Sequence, residues 1–132
     1  CEIPCGIYED SLRVSLIAEH ITTIEKSMNQ INELSKGGDM NYNQLVRWVM
    51  NKEEHAVKIQ EIVSQYFLHQ RIKPVGPENA DAYKKYLGQL ELLHHLQVYA
   101  MKAKQTTDLT FVGNLRTTLA KFEKAYFHTH DH

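Results

Sequence analysis

Between Asp10 and Ser35 the large apolar residues Ile17, Ile21, Ile24, Met28, Ile31 and Leu34 recur every three or four positions. That spacing is the stripe of an amphipathic helix, and Lys36-Gly37-Gly38-Asp39 ends it. A second stripe, Leu45, Val49, Ala56, Ile59, Val63 and Tyr66, predicts a helix over about 43–70, closed by the segment Arg71 to Asn79 with its Pro74, Gly76 and Pro77. Asn79 can cap a third helix that carries Tyr83, Tyr86, Leu90, Leu93 and Leu96 or Gln97. The cluster Thr106, Thr107, Asp108 can cap a fourth with Val112, Leu115, Leu119, Phe122 and Tyr126. Short connections favour antiparallel neighbours, so the expected fold is all-α, an antiparallel up-down four-helix bundle.

Composition narrows this picture. The 132 residues allow one domain spanning 1–132 with a sizeable core. Fifteen basic residues balance sixteen acidic ones, which argues against nucleic acid as a partner, because phosphate binding needs clustered excess Lys and Arg. No apolar run reaches the ~18 residues of a membrane span, so no membrane partner is expected. A secretory leader is not expected either, since Cys1-Glu2-Ile3-Pro4-Cys5 is neither a basic segment nor an apolar stretch. The mixed charges read as solvated helix faces, and Trp48 and the seven tyrosines as packing or subunit-interface groups.

A helical bundle has no function by fold alone, so chemistry must come from a site. Glu91 and His94 form one Glu-x-x-His pair, half of what a di-iron carboxylate bundle requires, and no second pair exists in the chain. Glu19-His20 and Glu54-His55 are adjacent in sequence and so point to different sides of their helices. All of these read as surface or interface residues. The alternating imidazoles of His128, His130 and His132, with Asp131, can bind a divalent metal loosely, but nothing at a chain end fixes their geometry.

Both cysteines of the chain fall within its first five residues. Cys1-x-x-x-Cys5 lacks the further Cys and His ligands of a structural zinc site and the Cys-x-x-Cys spacing of a thioredoxin-like pair. A disulfide across so small a loop would staple nothing to the bundle. Two soft thiolates, Pro4 and Gly6 shaping a turn around Cys5, and a terminal amine that can itself ligate favour a metal hook over residues 1–8, with the bundle over 9–132. A nitrogen and sulfur donor set suits nickel or copper in a planar field better than tetrahedral zinc.

The run Cys1-Glu2-Ile3-Pro4-Cys5-Gly6-Ile7-Tyr8, followed by Glu9 and Asp10, resembles the hook of the nickel superoxide dismutase family, whose mature chains begin His-Cys-x-x-Pro-Cys-Gly-x-Tyr. Lys52-Glu53-Glu54-His55-Ala56 and Gln65-Tyr66-Phe67 are similar in kind to that family's second helix. The resemblance implies an enzyme that disproportionates superoxide to dioxygen and hydrogen peroxide with one nickel ion per subunit. It implies Cys1 and Cys5 as thiolate ligands, Pro4 and Gly6 as shapers of the hook, and Tyr8 as a gate for small anions. It also implies a homo-oligomer, expected to be a hexamer, in which neighbouring subunits hold the hooks rigid. The family's leading His has no counterpart before Cys1. Either such a His precedes Cys1 in the mature protein, or the chain is a nickel- or copper-binding relative that has lost turnover. The family's Glu and Arg that steady that His have no counterpart either: Leu16 or Ile17 stands in place of the Glu, and His55 or Asn51 in place of the Arg. Reduced thiols awaiting a metal suit a cytoplasmic setting. A helical interaction bundle with incidental cysteines is the reading of another class.

Overall fold

The computed structural model describes residues 8–37 and 41–130. Among them all regular structure is helical, with no strand. The order is α1 (Asp10–Leu34), α2 (Tyr42–Glu61) continued by a π-helical segment (Ile62–Arg71), α3 (Ala80–Gln105) and α4 (Thr110–His130). α1 packs on α2 and α4, and α3 packs on α4 and α2, which closes the four helices into a bundle.

The predicted stripes become the core. Ile17, Ile21, Ile24 and Met28 of α1 are fully buried, as are Ala56, Ile59 and Val63 from the second stripe, Leu93 and Leu96 of α3, and Leu115, Phe122 and Tyr126 of α4. At one end the rings of Phe67, Phe122 and Tyr126 pack together at centroid distances of 5.0, 5.6 and 5.3 Å. Val49 departs from its stripe: it is 38 % exposed and lies with Tyr42, Val46 and Met50 on the outer side of α2. Its sequence spacing fits the inner face, but the first turns of this helix are poorly covered, and Leu45 too is only half-buried.

Helix ends follow their expected chemistry. Asn41 and Asn79 cap α2 and α3 by accepting from the backbone N–H of Gln44 and Ala82 at 3.2 Å each. The Asp108 carboxylate accepts from Thr110 N–H at 2.9 Å, as the Thr106-Thr107-Asp108 cluster predicts. The C-terminal end of α3 is closed differently. Lys52 of α2, only 3 % exposed, donates from Nζ to the carbonyls of Ala103, Lys104 and Thr106 at 2.7, 2.6 and 3.0 Å. Cation and orphan carbonyls satisfy one another where the helix dipole is negative.

The continuation of α2 is not the α-helix that the sequence predicts to Gln70. Over Ile62–Arg71 the backbone is π-helical, and the amide of Ile72 donates to the carbonyl of Phe67 at 2.8 Å, five residues back. The wider turn brings residues five apart onto one side of the helix. Tyr66 and Arg71 stand at that spacing.

Candidate functional site

Cys1 and Cys5 lie outside the described residues, as do the side chains of the histidines at 128, 130 and 132. The described chain begins at Tyr8, where the expected hook meets the bundle, and that junction is built around one carboxylate.

Asp10 is the first residue of α1, a position where an anion is favoured by the helix dipole. Arg71 grips it side-on, with Nε to Oδ1 and Nη2 to Oδ2 both at 3.0 Å. Tyr66 donates its hydroxyl to Oδ1, and Tyr126 donates to Oδ2 at 2.8 Å. One carboxylate therefore ties α1 to the π-helical segment and to α4. Burial pushes the Asp10 carboxyl upward, but the hydrogen bonds from Arg71, Tyr66 and Tyr126 and the guanidinium charge outweigh it and hold the group below its ordinary value. Burial and the bond to Asp10 push the Tyr66 phenol up to about 12, and the same causes raise Tyr126. Both phenols are thus neutral donors at physiological pH.

Tyr8 rests on this cluster. Its ring lies edge-to-face with Tyr66 at a centroid distance of 6.0 Å, and the Arg71 guanidinium sits 4.3 Å from its centroid, a cation–π contact. Arg13 takes the corresponding place over Tyr66 at 4.8 Å. Tyr8 remains 42 % exposed, so its ring is held from below while its outer side faces solvent.

A second polar pair joins α1 to α2. His20 and His55 meet with their Nδ1 atoms 2.8 Å apart. The sequence places each beside a glutamate on diverging sides, and the helix packing brings the two imidazoles together while Glu54 pairs with Lys58 at 3.3 Å. The remaining candidates stay apart: among the described residues no group of three or more His, Cys, Asp or Glu side chains could hold a metal ion, Glu91 and His94 included.

A model of nickel-containing superoxide dismutase matches residues 1–130. The chain belongs to the nickel-containing superoxide dismutase family. Neither the comparison with curated proteins nor that with solved structures finds a match. Membership gives the cluster at Asp10 its context, because in this nickel superoxide dismutase family member the matched region takes in both the cysteines and the four residues of the cluster.

Sequence reasoning passes over three of the four residues that hold this junction. Tyr66 and Tyr126 fit apolar stripes, and Arg71 falls in the segment that breaks the second helix. Asp10 reads only as an acidic helix start. One signal is present: a tyrosine in the middle of a buried stripe carries a hydroxyl that needs a partner, and two such tyrosines call for a shared acceptor.

Proposed function

We propose that this chain is a nickel-dependent superoxide dismutase whose metal is held, one ion per subunit, by the thiolates of Cys1 and Cys5, with Pro4 and Gly6 shaping the hook. The observation that carries the reading is the family match running from Cys1 through the bundle. The donor chemistry agrees: anionic sulfur beside nitrogen is a set that nickel takes in planar geometry and that favours its higher oxidation state. Among the described residues no group of three or more His, Cys, Asp or Glu side chains could hold the ion instead.

Two superoxide anions and two protons give one dioxygen and one hydrogen peroxide: one anion gives up an electron and the other accepts it. Bound nickel supplies the one-electron couple between its divalent and trivalent states. The protein's part is to admit a small anion, exclude larger ones and provide protons. Arg71 is matched by Asp10, so the positive charge at this end of the bundle comes from Arg13 over the Tyr66 ring, and it draws an anion toward Tyr8. Tyr8 has a fixed ring and an exposed outer side, as a gate requires. The Tyr66 hydroxyl donates a hydrogen bond to Asp10 and stays protonated, so it orients Tyr8, and protons come from Tyr8 or water. Assembly as a hexamer in the cytoplasm completes the proposal, with a neighbouring subunit covering the hook.

Nickel content and superoxide removal, measured on purified wild type and Cys5→Ser, test this. The expected result is about one nickel per wild-type chain with activity, and loss of both in the variant. Equal metal and activity in the two proteins would remove Cys5 from the site. Nickel bound without turnover would favour a binding protein instead, and the intact mass of the mature protein then shows whether a His stands before Cys1.

A further inference from the structure

α3 and α4 leave between them a cleft of about 440 Å³, within the size range of small-molecule pockets. Gly88, Leu92 and Ala125 form an apolar floor, and Lys85, Lys121 and Lys124 stand around it. None of these lysines makes an ion pair among the described residues, so three ammonium groups face solvent around apolar surface.

One further observation marks the cleft as more than a gap. Gly88 lies inside the 26-residue helix α3, where glycine is a poor helix former. Nothing in the chain asks for it, since a Cβ built there meets no atom within 4 Å. Its effect is to keep the floor open. Lys85 and Gln89 line this cleft and also a second one of about 660 Å³ that reaches Lys73, so the two adjoin as one trough along α3.

We propose that this trough binds a long-chain carboxylate, its alkyl chain over Gly88 and Leu92 and its head group among the lysines. Charge complementarity selects the anion. A second copy of this chain meeting the same face about a two-fold axis would set the lysines against one another, which disfavours that occupant.

Laurate is the probe, titrated below its micellar concentration into the nickel-loaded protein, with displacement of a fluorescent fatty acid as the readout. Wild type is expected to bind saturably in the micromolar range. Gly88→Leu fills the floor from a site that clashes with nothing, so it should melt no lower than wild type and bind at least tenfold more weakly. The double variant Lys121→Glu with Lys124→Glu should weaken laurate about tenfold and leave dodecanol unaffected. Absence of saturable binding to wild type would overturn the proposal. So would undiminished binding by Gly88→Leu, or a change in its oligomeric state without laurate binding to wild type, which would make the trough a contact between copies. Nickel content is expected to be equal in all variants, which keeps this result separate from the metal site.

Discussion

At the scale of single residues, Asp10 accepts four hydrogen bonds from three side chains distant in sequence. Asp10→Asn keeps the volume, removes the charge and presents an amide to donors that need acceptors. Hydrogen bonds to charged groups contribute about 1.5–3 kcal/mol, so a loss of roughly 2 kcal/mol at neutral pH is expected from urea unfolding. The folded-state pKa of Asp10 is depressed, so its stabilisation is complete above the unfolded value near 3.9 and is lost as pH falls through the folded value. The gap between wild type and Asp10→Asn should therefore close in acid. His20 and His55 act in a higher range. Burial lowers both, reinforced at His20 by the facing imidazole of His55 and by Lys58, and at His55 by Lys58. A histidine depressed in the folded state stabilises above its unfolded value near 6.5, and stability falls as pH drops below that point. His55→Leu should flatten the pH dependence of the melting temperature between about 6.5 and 5; an unchanged slope would show that the imidazole pair does not set it.

At the scale of elements, the four stripes specify the helices because burial is periodic and the sequence displays it directly. The caps at Asn41, Asn79 and Asp108 are equally local, and Asn79 and Asp108 are recognisable from residue type and position alone. What the sequence hides are features that depend on two elements at once. Lys52 reads as one charge on a solvated face, yet it closes the end of α3. Lys52→Met keeps the length of the side chain and leaves three carbonyls without their donor. A destabilisation of about 2–3 kcal/mol is expected, with faster amide hydrogen exchange in the last turn of α3 than elsewhere in that helix. The π-helical segment is hidden for the same reason. Its register serves Asp10 on α1 by bringing Tyr66 and Arg71 to one side, and no local pattern within Ile62–Arg71 announces it.

At the scale of the whole molecule, the bundle and the family are legible from the chain, the family through the resemblance that the run Cys1 to Tyr8 carries. The cluster under Tyr8 is not legible, because Asp10, Tyr66, Arg71 and Tyr126 are brought together only by tertiary packing. Their sequence separations from Asp10 are 56, 61 and 116 residues. Contacts of such long range form late in folding, since the loops they close carry the largest entropic cost. The cluster under Tyr8 is therefore complete only once the last helix has docked, since Tyr126 of α4 is one of the three side chains that hold Asp10. Under the proposed function, capture of the metal becomes a checkpoint on completed folding: when the protein is refolded in the presence of nickel, the spectroscopic signature of thiolate-bound metal should grow in with the docking of α4, and Tyr126→Phe, which removes one tie to Asp10, should delay it while the helical signal returns on its usual schedule.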